Sequence, residues 1–197
     1  MSNKLISAAL AGAMLCVAVG TTASAQMNTM KVSTEKTVMV GGAAMYPSKN
    51  IIQNAVNSKD HTTLVAAVKA AGLVDTLSGP GPFTVFAPTN AAFAKLPAGT
   101  VDNLVKPENK MTLTKILTYH VVAGRMTAAD LAKAVKEGEG QAKLKTVAGG
   151  DIWIKAAGPG KWSVTDAKGG VAMITIADVL QSNGVIHVVD SVLMPGM

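Results

Sequence analysis

Three histidines (His61, His120 and His187) and a single cysteine, Cys16, are the residues that could ligate a metal or run acid–base and nucleophilic chemistry. No two of the histidines stand at the i, i+4 spacing that puts a pair of ligands on one helix face. His187, Asp190 and Ser191 have the residue types of a hydrolytic triad. On a strand, however, alternation turns His187 away from Asp190 and toward the side of Val185, Val189 and Ser191. Ser191 then lies four residues on, about 13 Å along the strand, which exceeds the reach a base needs to activate a nucleophile. No G-x-S-x-G elbow accompanies it. No catalytic residue is expected, and the chain reads as non-enzymatic.

Methionine is the other soft ligand. Of 11 in the chain, Met27, Met30, Met39 and Met45 fall before residue 48, and Met194 and Met197 close the sequence. Thioethers select Cu(I), and an oxidising compartment without cysteine could use methionine with histidine for it. A periplasmic copper-binding protein with these six ligands is therefore the alternative expectation. The irregular spacing favours methionine as ordinary gap-filling, and the main reading needs no cofactor. Tyr119-His120 stands out in a chain with only two tyrosines. The pair suits either a structural junction, with the imidazole bonded to backbone, or the border of a recognition patch. It is the candidate partner-binding site.

The N-terminal segment bears on where such residues would work. Lys4, an uncharged run from Leu5 to Val19, and Ala23-Ser24-Ala25 before Gln26 have the layout of a secretory signal over residues 1–25. The run is too short for a membrane span. Leu15 is too large to precede a lipidated Cys16, so the exported chain is expected to hold no cysteine, no disulfide and no lipid anchor. The full chain has 18 basic and 12 acidic residues, and losing Lys4 leaves a formal charge of +5. That charge is mild and dispersed, without the basic, aromatic-interleaved surface of a nucleic-acid binder. A periplasmic or secreted protein is expected, with a protein or envelope polysaccharide as its partner.

Residues 26–47, with Gly41-Gly42 and few large apolar groups, read as a flexible leader. From 48 onward the first half reads helical. Ser48 is a candidate cap for a helix using Ile51, Ile52, Ala55 and Val56, and Asp60 or Thr62 for one using Leu64, Val65, Val68 and Ala71 up to Gly72. After Gly79-Pro80-Gly81-Pro82, the run 83–87 reads as a strand buried on both faces. Thr89 can cap a short helix through Phe93. Glu108 to Thr118 reads as a helix, and Thr127 with Asp130 resembles a capping box. The second half reads β: 142–147, 151–156, 161–165, 171–177 and 185–193, separated by glycine-rich turns and Asn183-Gly184. Trp153 and Trp162, on adjacent strands, are expected to pair across them. Segregated helices and hairpin-linked strands indicate an α+β domain over 48–195.

Three blocks of this chain, Thr84-Val85-Phe86-Ala87-Pro88-Thr89-Asn90-Ala91-Ala92-Phe93, Leu117-Thr118-Tyr119-His120-Val121-Val122 and Asn183-Gly184-Val185-Ile186-His187-Val188-Val189-Asp190, resemble the fasciclin domain in content, order and spacing. The resemblance implies a β-wedge or sandwich with helices packed along it, of the kind found in secreted and cell-surface adhesion proteins. It places the family's signature on Phe86, Pro88, Thr89, Phe93, Asn183, Gly184, His187 and Asp190, and its tyrosine–histidine motif on Tyr119 and His120. In animal members that motif's neighbourhood is associated with integrin binding. A single domain behind this signal looks bacterial, so an integrin partner need not apply.

Overall fold

The computed structural model describes residues 36–196. The expected signal, Cys16, Met27, Met30 and Met197 lie outside them. The first elements are a small hairpin, β1 (Val38–Val40) and β2 (Ala43–Met45), then α1 (Ile51–Ala55), α2 (Thr62–Ala71) and α3 (Val74–Ser78). Strand β3 (Phe83–Pro88) is followed by α4 (Asn90–Ala94), α5 (Thr100–Leu104), α6 (Lys110–Tyr119), β4 (Val121–Ala123) and α7 (Ala128–Glu137). The rest is β5 (Gln141–Lys145), β6 (Asp151–Gly158), β7 (Lys161–Thr165), β8 (Val171–Gln181) and β9 (Gly184–Val189).

The described part of the expected leader is not a flexible tail. Val38 pairs with Met45 in an antiparallel ladder, and Val40 and Met45 are both 3% exposed in the interior. Short strands separated by a Gly41-Gly42 turn carry too few apolar residues to announce themselves; burial of two of them holds the hairpin.

Seven strands form one sheet in the order β4-β3-β9-β8-β7-β6-β5. It is mixed: β3 and β9 run parallel, Phe83 beside Gly184 through Pro88 beside Val189, and the other pairs are antiparallel. The ends almost meet. Val122 of β4 bridges Thr146 just past β5, and the Val147 amide donates to the Val121 carbonyl at 2.7 Å. Closure of this kind covers edges that would otherwise present unpaired backbone.

Strand β3 is buried on both faces, as its composition predicts. Val85 and Ala87, with Ile186 and Val188 of β9, join the interior under the helices. Phe86 and Val189 join a second interior between the sheet's inner face and α7. Local chemistry sets the helix ends. Thr127 and Asp130 exchange side-chain-to-backbone bonds as a capping box, and the Thr89 hydroxyl accepts from the Ala92 amide. The cap of α1 is Asn50, reciprocated by Gln53, not Ser48. Neither Asp60 nor Thr62 caps α2, whose Thr63 amide instead donates to Asn90 Oδ1 at 3.0 Å from across the fold. Gly72, at φ 73°, ends α2 in the left-handed conformation that suits glycine.

Candidate functional site

The Tyr119-His120 pair sits where α6 gives way to β4. Leu113, Ile116 and Leu117 hold α6 against the interior, and the next residues are drawn beneath the β5–β6 turn. Tyr119 is 0% exposed and His120 2%. The Tyr119 hydroxyl donates to the Asp151 carbonyl at 2.6 Å and accepts from the Ala167 amide at 3.0 Å. The His120 Nδ1–H donates to the Ile116 carbonyl at 2.8 Å, and Nε2 accepts from the Leu193 amide at 2.9 Å. That pattern requires the neutral ring. Burial pushes His120 down to about 4, against weaker upward pulls from the Ile116 carbonyl and Asp166. Burial likewise raises the Tyr119 phenol.

Both side chains are buried rather than displayed, whereas the expectation has them bordering a contact surface. Their donors and acceptors are spent on the turn before β6, the turn after β7 and the C-terminal segment. Gly150 shows how tightly the ring is covered: a Cβ there would stand 2.7 Å from Tyr119 Cε2. Over the pair lies an open cleft of about 320 Å³, lined by Lys115, Tyr119, Gly149, Gly150, Ala167 and Pro195. The motif therefore shapes a surface from below.

The signature residues around β3 and β9 are framework too. His187 lies opposite Phe86 in register and stacks on it, ring centres 5.6 Å apart. Its Nε2–H donates to the Met126 carbonyl at 2.9 Å, and Nδ1 faces the Asp178 amide at 3.4 Å. Desolvation lowers its pKa, as it does that of buried His61. Asp190 accepts from the Met173 amide at 2.8 Å and pairs with Lys95 at 3.2 Å, and its contact with Ser191 is a hydroxyl-to-carboxylate bond of 3.0 Å. No His187–Asp190–Ser191 relay forms. Pro88 closes β3 beside Val189, and Phe93 packs back into the helical interior.

Asn183 and Gly184 turn the chain without positive φ at either residue. The Asn183 side chain accepts from the Ile51 amide and donates to the Leu77 and Gly79 carbonyls, tying three segments together. Gly184 is needed for close approach: a Cβ would lie 2.0 Å from the Phe83 carbonyl oxygen. Two carboxylates went unnoticed in the sequence. Buried Asp166 accepts from the Lys168, Gly170 and Met194 amides, and Asp178 accepts from the Ala128 amide opening α7 at 2.6 Å. The Asp-x-Lys-Gly-Gly stretch at 166–170 is a turn signal that could have marked the first; nothing local marks the second.

The described methionines of the copper alternative do not converge. Met39 and Met45 fall on opposite faces of one hairpin, the first 60% exposed and the second buried. Met194 is held at the Asp166 turn instead. Among the described residues no group of three or more His, Cys, Asp or Glu could hold a metal ion. The expected Trp153–Trp162 pair is also absent. Trp162 stands opposite Ala156 and Trp153 opposite Thr165, so the two indoles project from opposite faces.

Comparison with known proteins agrees with this frame. The fasciclin domain family profile matches residues 59–195. Protein sll1483 of Synechocystis sp. is 49% identical over 179 residues, covering 90% of this chain and 88% of that protein. Immunogenic protein MPB70 of Mycobacterium bovis is 39% identical over 146 residues, 72% of this chain and 66% of that one. Cell surface glycolipoprotein MPB83 of the same species is 35% identical over 161 residues, 79% and 64% respectively. Among solved structures, a FAS1 domain pair from the insect cell adhesion molecule Fasciclin I superposes with a TM-score of 0.67 at 21% identity, covering 76% of this chain and 52% of that one. The shared fold, the profile match and these relatives together place the chain in the fasciclin domain family.

Proposed function

We propose that the protein is an exported, non-enzymatic binding module that attaches to the cell envelope or its matrix through its surface. The observation carrying this reading is the use made of the reactive side chains. His120 and His187 spend both ring nitrogens on holding backbone, and Tyr119 and Asp190 serve the same frame. Such groups stabilise a rigid platform, and recognition then falls to what the platform displays. Relatives named as a cell surface glycolipoprotein and a cell adhesion molecule support placement at the envelope. Among the described residues no helix is long and apolar enough to cross a membrane.

The test is co-sedimentation of the purified protein with envelope fragments from the producing cell. Retention at low salt and release at high salt are expected. Protein that stays in the supernatant at every ionic strength overturns the reading.

A further inference from the structure

Trp153, like Tyr46, is a large aromatic that neither interior takes in. Its neighbours Ile152 and Ile154 are both 0% exposed and pack on the inner face, so alternation sends the indole to the outer face of the sheet, where it is half-buried. Register defines its surroundings. Lys143, Trp153, Thr165 and Val171 form one row across β5 to β8, and Gln141, Lys155, Ser163 and Met173 form the next. Lys145 stands opposite Asp151 beyond the first row, and alternation along β7 puts Lys161 on the same face beyond the second. The four lysines are exposed. Asp151, the acidic residue among them, is held by Lys143 at 2.9 Å. Val171 is 55% exposed, and Trp153, Val171 and Met173 belong to neither core. Helix α7 covers the opposite face through Leu131 and Val135.

We propose that this outer face binds an anionic polysaccharide of the polyuronate type, a proposal that rests on the envelope-binding reading and names its ligand. An indole face suits the C–H face of a pyranose ring. Lys143, Lys155 and Lys161, set around it, suit the carboxylates that such a chain carries on successive units. Adjacent strands lie about 4.8 Å apart, close to the length of one sugar unit, so a chain crossing the strands meets a new side chain at each step. Four cations against Asp151, paired with Lys143, and Asp190, paired with Lys95 beside Met173, give the charge complementarity that a neutral glycan would not use.

Binding of the mature protein to polygalacturonate, to neutral dextran and to phosphatidylglycerol vesicles decides the matter. The expected result is retention by polygalacturonate alone, weakened at least tenfold by Trp153→Ala and partly restored by Trp153→Phe. The Lys143→Gln/Lys155→Gln double variant should bind several-fold more weakly, with a shallower salt dependence, and it carries the test should Trp153→Ala fail to fold. Three results overturn the proposal: no polygalacturonate binding, Trp153→Ala binding as tightly as the parent, or equal retention by the vesicles. Envelope co-sedimentation that survives while polygalacturonate binding is absent removes this site and leaves the envelope reading standing; loss of co-sedimentation removes the reading beneath it.

Discussion

On the helical side of β3 and β9 the interior is almost wholly aliphatic, built from Ile51, Leu64, Val68, Leu77, Val85, Leu117 and Ile186. Ala55 lines two narrow apolar cavities there, of about 30 and 20 Å³. His61 Nε2, buried beside the smaller cavity, has no hydrogen-bond partner. On the other side, Phe86, Tyr119 and Leu193 pack with Ile152, Ile154 and Val164, and the rings there are tied to backbone. Tyr119, His120 and His187 make six polar contacts, five of them at 3.1 Å or less. The first interior rests mainly on aliphatic area, its buried polar groups being the Asn54–Gln181 and Ser58–His61 pairs, and it tolerates small changes in shape. The second rests on area plus satisfied polar groups in a low-dielectric setting, where losing one partner strands the other.

The largest test of this contrast is Phe86→Ala. Phe86 is 0% exposed and stacks on His187, so the substitution should cost about 3–5 kcal/mol in chemical denaturation and free His187 from its place. Acid should come next. The His120 pKa falls from 6.5 unfolded to about 4 folded, so the unfolded chain binds more protons between those values. Stability is complete above pH 6.5, falls on acidification through that window by about 3 kcal/mol, and levels off below pH 4. His61 and His187, both lowered by burial, push in the same direction. Denaturation at pH 4 and pH 7 measures the difference, and a flat profile breaks the view that the neutral rings hold the frame.

Tyr119→Phe removes one hydroxyl and leaves the Ala167 amide and the Asp151 carbonyl without their partner. A loss of about 1–3 kcal/mol in thermal or denaturant melting is expected, and an unchanged melt would show that water replaces the hydroxyl. The smallest effects separate the two interiors directly. Ala172→Val, at a site 0% exposed in the ring-rich interior, should cost about 1–3 kcal/mol through overpacking. Ala55→Val, beside two cavities, should stay within about 1 kcal/mol of the parent. Equal costs at both positions would dissolve the distinction.

Much of the frame was legible because its causes are local. The two-faced burial of β3 follows from its apolar run, and the caps at Thr89 and Thr127 need only residues three places away. Strand β7 matches its expected bounds, whereas β8 runs on to Gln181 through two register shifts, and a bulge of that sort leaves no periodic trace. The candidate contact pair was placed correctly on the helix-to-strand junction, but composition does not say which of two amphipathic rings will be covered. Trp153 reversed in the other direction: proximity to Trp162 suggested a pair, and the bulge at Ala156/Gly158 with the observed register put the indoles on opposite faces.

By itself the sequence determined the α+β class, the fasciclin signature, the caps at Thr89 and Thr127 and the glycine-rich turns between the later strands, since these follow from periodicity, capping and backbone preference within a few residues. Only the tertiary structure decided that Asn90 caps a helix 27 residues away and that Asn183 receives the Ile51 amide from 132 residues away. The same holds for the parallel pairing of β3 with β9, the burial of Tyr119 and His120, and the basic outer face around Trp153. Each depends on which distant groups are brought within hydrogen-bond or packing range, a relation that chain closure creates and local sequence does not encode.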